Sequence, residues 1–92
     1  MRLFRIHTET RPNIAAIVSE RFDGFTLYAA TGYWRGLRED STTVEILADA
    51  SRRADVDAIA DRIRTENGQQ AVLVVELDAT ADLFTATGKI RL

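Results

Sequence analysis

The stretch Phe25-Thr26-Leu27-Tyr28-Ala29-Ala30-Thr31-Gly32-Tyr33-Trp34, then Arg35-Gly36-Leu37-Arg38-Glu39-Asp40, then Ser41-Thr42-Thr43-Val44-Glu45-Ile46-Leu47-Ala48, decides how this chain of 92 residues is read. Both flanks are rich in the β-branched and aromatic residues that suit a pleated, half-buried surface, and the polar middle contains Gly36. The reading is a long β-hairpin with Gly36 in or near its turn. Val44, Ile46 and Ala48 alternate with other residues and mark one buried face. Gly32 marks a bulge or a close backbone approach, which re-aims Tyr33 and Trp34 relative to the rest of their strand.

Upstream, Arg2 to Thr8 alternates, with Phe4 and Ile6 on one face and Arg5 and His7 on the other, as a strand with one face buried does. Thr10-Arg11-Pro12-Asn13 then opens a helix, with Thr10 as N-cap and the proline in the first turn, where a missing N–H costs nothing. Ile14, Ile17, Val18 and Phe22 sit at helical spacing and carry this helix to about Phe22, where Asp23-Gly24 stops it. Downstream, Asp49 or Ser51 caps a second helix with a buried stripe of Val56, Ile59, Ala60 and Ile63, and Asn67-Gly68 provides a left-handed stop. Asp55 and Asp57 lie near the positive end of its dipole and Arg62 and Arg64 near the negative end. The i,i+4 pairs Arg53–Asp57 and Arg62–Glu66 are each worth about 0.2–0.5 kcal/mol on a solvated face. Ala71 to Asp78 reads as a strand with Leu73, Val75 and Leu77 together. Ala79 to Thr87 reads as a connection with a short turn at Leu83 and Phe84, and Gly88 to Leu92 as a short terminal strand.

The order is therefore β-α-β-β-α-β with a short C-terminal extension, one α+β domain over 1–92 of the ferredoxin-like kind. Right-handed crossovers place both helices on one face of a four-stranded antiparallel sheet, with the first strand between the third and fourth. The expected core face carries Phe4, Ile6, Val44, Ile46, Leu73, Val75 and Leu77. The opposite face carries Leu3, Arg5, His7, Glu45, Leu47, Val72, Val74 and Glu76, with Arg5 and His7 beside Glu45 and Glu76. Aliphatic residues mixed with charges on an outer face suit packing against another subunit, so self-association is expected.

Composition narrows the chemistry. The chain is 46% hydrophobic and 28% charged, with a formal net charge of -2, no cysteine, His7 as its one histidine and Lys89 as its one lysine. Disulfides, thiolate nucleophiles and cysteine-ligated metals are excluded, and one imidazole cannot build a multi-histidine site within one chain. Arg5, His7, Glu9 and Arg11 interrupt the start, where a secretory signal needs an apolar stretch. The longest strongly apolar run, Ala71 to Val75, falls far short of the roughly 20 residues that span a bilayer. The expectation is a cytoplasmic protein without a membrane partner. A near-balanced charge argues against nucleic-acid binding through a broad basic surface.

No catalytic motif emerges, and no cofactor or metal is implied. His7 has the free pKa of a general acid–base group, but no Ser-His-acid pattern surrounds it. Glu39 and Asp40, or Asp55, Asp57 and Asp61, are carboxylate pairs more simply read as solvated surface. Gly24, Gly32, Gly36, Gly68 and Gly88 have no phosphate-loop or dinucleotide spacing. What remains is Tyr33, Trp34, Arg35, Arg38 and Glu39 around the hairpin tip. An aromatic face there can stack on a planar group, and a guanidinium can hold phosphate or carboxylate in a two-pronged bond. The competing reading makes Tyr33 and Trp34 interface anchors and pairs the arginines with Glu39 and Asp40.

Tyr33-Trp34-Arg35-Gly36 followed by Glu39-Asp40-Ser41, leading into a strand and a capped helix, resembles CutA-like proteins, which belong with the PII-type regulators among trimeric ferredoxin-like proteins. Gly24, Thr26, Gly32, Trp34, Arg35, Arg38, Glu39 and Ser41 are also similar to a bacterial family with Gly-x-Thr, Gly-x-Trp-Arg and Arg-Glu-x-Ser patterns. The first resemblance implies a homotrimer rather than a dimer, with small anionic, often nucleotide, ligands in clefts between subunits near the loop joining the second and third strands. The expected function is thus a non-enzymatic, homo-oligomeric small-ligand binder. Two alternatives stand beside it: a dimeric α+β-barrel enzyme with His7 or Tyr28 in a pocket between sheet and helices, and an interaction or inhibitor module that meets its partner by strand addition.

Overall fold

A computed structural model describes residues 1–92 as β1 (Arg2–Glu9), α1 (Ile14–Ser19), β2 (Thr26–Trp34), β3 (Leu37–Ala48), a single 3₁₀ turn (Ala50–Arg52), α2 (Arg53–Glu66), β4 (Leu73–Asp78), β5 (Asp82–Thr85) and β6 (Gly88–Arg91). The architecture is mixed α+β. Four strands form an antiparallel sheet in the order β2-β3-β1-β4, and β5 and β6 form a separate two-stranded sheet.

Both apolar helix stripes pack on one face of the larger sheet. Ile14, Ile17 and Val18 of α1, Phe22 beyond it, and Val56, Ile59, Ala60 and Ile63 of α2 are buried with Phe4 and Ile6 of β1 and Val44, Ile46 and Ala48 of β3. The helix 1 expectation needs correcting at both ends. Its N-cap is Asn13, without a side-chain cap bond, while the Thr10 hydroxyl meets that of Thr42 at 3.0 Å. It ends at Ser19, and Phe22 reaches the core from a following turn in which the Arg21 and Phe22 amides both donate to the Val18 carbonyl. Arg52 secures that turn: its guanidinium stacks over the Phe22 ring at 4.1 Å and donates to the Arg21 carbonyl at 2.6 Å. Helix 2 follows its expected course. The Asp49 carboxylate accepts from the Ser51 amide ahead of it, and Gly68 at φ 62° closes it, with the Gln69 amide donating to the Arg64 carbonyl at 3.0 Å. This is a Schellman arrangement, which needs a residue free to enter the left-handed region.

The face assignment of β4 is reversed. Ile6 stands opposite Val74 and Phe4 opposite Glu76, so Val72 and Val74 pack against the helix-covered core while Leu73, Val75 and Leu77 face outward. Apolar residues occupy both parities of this strand, and a shift by one residue exchanges the faces. Glu76 shares the side of Val72 and Val74. On the helix side it accepts from Arg2 Nε at 2.7 Å and from Arg53 Nη1 of α2 at 2.9 Å. These bonds hold its carboxyl below the usual range, Arg53 contributing most. Asp55 is held down in the same way by Arg52 and then Arg21.

A pH dependence follows from these depressed carboxyls. A group with a lower pKa folded than unfolded stabilises the fold above its unfolded value and loses that contribution as pH falls through the folded one. The urea midpoint is therefore expected to decline as pH drops below about 4, near the ordinary carboxyl values. Glu76→Gln flattens part of that decline; a curve unchanged by the substitution would contradict the assignment.

The C-terminal expectation is also corrected. Leu83 and Phe84 are not a turn but part of β5, which pairs with β6 in the register Asp82–Arg91, Leu83–Ile90, Phe84–Lys89 and Thr85–Gly88. The chain measures 46 × 23 × 22 Å with a radius of gyration of 14.2 Å, longer than the roughly 12 Å of a compact chain this size. No helix is long and apolar enough to cross a membrane.

Candidate functional site: a pocket under Trp34

The β2–β3 hairpin continues past the end of β1. Its turn is Arg35-Gly36, with φ of 51° and 79°. Two successive left-handed residues make the two-residue turn whose twist suits a hairpin, so Leu37 to Asp40 belong to β3 rather than to a connection. Pairing is unbroken from Thr26–Glu45 to Trp34–Leu37, so Gly32 is not a bulge. It marks a close approach: a Cβ on Gly32 would overlap the Ser41 hydroxyl.

That tight stretch curls the hairpin over the outer sheet face. Trp34 lies on the edge strand β2, yet its Nε1 donates to Oε1 of Gln70, just before the opposite edge strand β4, at 3.0 Å. Gln70 is placed by the end of α2. Beside it Gln69 is buried, its Nε2 donating to the Thr8 hydroxyl at 2.8 Å and its Oε1 accepting from the Glu9 amide at 3.1 Å. The left-handed stop at Gly68 thus turns Gln69 into the core and Gln70 out to Trp34.

Between the curled hairpin and the sheet lies an open pocket of about 280 Å³. Trp34, Ala30 and Leu73 provide apolar surface, Ser41, Thr43 and Gln70 provide polar groups, and His7, Glu9 and Glu39 are the ionisable ones. His7 Nδ1 lies 3.0 Å from the Thr43 hydroxyl, and its other ring nitrogen has no protein partner. Burial, then the charge and hydrogen bond of Glu9, raise the pKa of Glu39, while Arg11 opposes the rise. Arg11 forms an ion pair with Glu9 without lining the pocket. The pocket is therefore acidic, with two carboxyls close enough to compete for protonation.

The five residues singled out in the sequence are divided by this geometry. Trp34 and Glu39 line the pocket on the outer face, and Tyr33 contributes to its wall. Arg38 stands opposite Tyr33 in the ladder, one position out of phase with Trp34, and so belongs to the other face. Arg35 sits in the turn with its guanidinium 5.6 Å from the Trp34 ring centre. Neither arginine lines the pocket, and neither forms an ion pair with Glu39 or Asp40. Glu9, Ser41, Thr43 and Gln70 were missed as site residues. The Gly32–Ser41 close approach and the alternation that puts Glu9 on the face of His7 carried local signals; Gln70 arrives by tertiary packing.

Elsewhere, the outer face is neutralised in part by Arg5, whose Nε donates to Glu45 at 3.1 Å, but not by Glu76, which faces the helices. The Tyr28 hydroxyl donates to Glu45 at 2.6 Å, a bond that raises the tyrosine pKa and makes it a poorer acid. No cavity lies between sheet and helices, where an internal catalytic pocket was the alternative expectation. No group of three or more His, Asp or Glu side chains converges in a way that could hold a metal. The chain matches no protein-family model, and no curated protein matches it.

Proposed function

We propose that this chain is a small-ligand-binding protein, acting as a homo-oligomer, that takes a small organic cation in the pocket under Trp34. The observation that carries this reading is the pairing of an aromatic wall with two carboxyls in a pocket lined by no guanidinium or ammonium group. An alkylammonium or alkylguanidinium head placed there meets the Trp34 ring face and the Glu9 and Glu39 oxygens, while Leu73 accepts its apolar stem. Self-association is supported by the exposed outer face with Leu73 and Leu77. The sheet order read from the other edge, β4-β1-β3-β2, with both helices on one face, supports a ferredoxin-like arrangement extended by a C-terminal hairpin.

The test is calorimetric titration with putrescine at several pH values. Glu39 has a raised pKa, so protons compete with a cation there, and affinity is expected to fall as pH drops through the acid range. Affinity that rises on acidification would contradict a cation site. A second reading, an anion such as a nucleotide at the hairpin tip, is favoured by one feature: Arg35 and Arg38 are free of carboxylate partners. AMP is the matching probe. If AMP binds with an affinity that Arg35→Ala and Arg38→Ala abolish, that reading replaces the first.

A further inference from the structure

The C-terminal hairpin has no support from the rest of its own chain. β5 and β6 pair only with each other, and all their residues are exposed. A two-stranded hairpin alone is marginal in water. One face presents Leu83 beside Ile90, and the other Phe84 beside Lys89 and Asp82 beside Arg91. Phe84 is the most exposed large apolar side chain, at 77%. Lys89, the only lysine in the chain, has no carboxylate partner, whereas Arg91 is paired with Asp82.

The outer sheet face has complementary needs. Leu73 is 59% exposed at the pocket and Leu77 is exposed farther along β4. The pocket carries two carboxyls, and Glu39 forms no ion pair. The two features sit at opposite ends. β4 starts at Leu73 beside His7, at the pocket, and finishes at Asp78 beside Arg2, where the hairpin leaves. When two outer faces meet about a two-fold axis perpendicular to the strands, each hairpin end lies over the other copy's pocket end.

We propose that the C-terminal hairpin of one copy docks on the outer face of a second copy, with Phe84 against Leu73 and the Lys89 ammonium at Glu39. The proposal rests on the cation-site reading of the pocket and names the group that a second copy delivers to it. The apolar contact supplies the burial that the hairpin lacks, and the charge contact sets its position. A free amine would compete with Lys89 for the same carboxyls.

Native mass spectrometry at micromolar concentration tests this on the full chain. The wild type is expected at a multiple of the 10.3 kDa chain mass, Lys89→Glu and Glu39→Lys each at the single-chain mass, and the double exchange Glu39→Lys with Lys89→Glu again at the multiple. A wild type of single-chain mass, or a Lys89→Glu variant that stays assembled, overturns the proposal. Because the chain has no cysteine, mixed Glu39→Cys and Lys89→Cys chains give an independent readout. A disulfide between the two kinds of chain supports the proposal. Its absence, or a disulfide within one chain when both substitutions share it, overturns the proposal. If those chains cross-link while putrescine fails to bind the single-chain Lys89→Glu variant, the small-ligand reading falls and the docking stands; putrescine binding to that variant without cross-linking gives the reverse.

Discussion

Phe4→Ala is expected to cost about 3–5 kcal/mol of folding stability, the range for deleting a large aromatic side chain from a packed core. Phe4 is completely buried at the centre of the β1 ladder, opposite Ile46 on one side and Glu76 on the other. The core is thirteen residues, so the chain has few other contacts over which to spread the loss. Small domains hold only about 5–15 kcal/mol in total. The substitution should therefore leave the chain partly unfolded at physiological temperature and shift the urea midpoint far down. Val74→Ala, toward the core, should cost more than Leu73→Ala when both are measured in single-chain Lys89→Glu backgrounds. Equal costs would mean that the reversed faces of β4 are wrongly assigned.

Trp34→Ala should act on binding instead. The indole is 45% exposed, so its removal spares most of the core. It also removes the ring face offered to a cation, worth about 0.5–2 kcal/mol, together with the bond to Gln70 that holds the curled hairpin in place. Since each 1.4 kcal/mol is a factor of ten in affinity, the expected loss for putrescine is about tenfold. Trp34→Phe keeps the ring face and loses the N–H donor, so it should fall between wild type and Trp34→Ala. Glu39→Gln removes the charge that meets the cation, so putrescine binding should weaken with this substitution too. A Trp34→Ala protein that folds and binds as tightly as wild type would place the site elsewhere.

How far the sequence could be read varies by element for physical reasons. The stripes of both helices and the alternation of β1 and β3 were legible because each has one apolar face, and one face leaves one solution. β4 was not, because Val72 and Val74 compete with Leu73, Val75 and Leu77; the observed register puts Val72 and Val74 on the core and pairs Glu76 with Arg2 and Arg53 on the same side. The C-terminal hairpin was half legible: its second strand alternates clearly, but four-residue strands carry too little pattern to place Leu83 and Phe84. At the site, Trp34 and Glu39 were found from local composition. Arg35 and Arg38 were grouped with them by proximity in sequence, although strand alternation sends Arg38 to the other face. Glu9 follows His7 on the outer face of β1, one residue past the Arg2 to Thr8 stretch read as the strand, whereas Gln70 reaches the pocket through the stop of α2, which no local pattern reports.

Trp34 is the only tryptophan in the chain, so its fluorescence reports directly on the pocket. The decisive measurement is a titration of wild-type protein with putrescine, and separately with AMP, followed by tryptophan emission at neutral pH. A cation site in the Trp34 pocket predicts a saturable change with putrescine that Glu39→Gln weakens, and none with AMP. A saturable change with AMP alone, or no change with putrescine up to millimolar concentration in both the wild type and the single-chain Lys89→Glu variant, would contradict it.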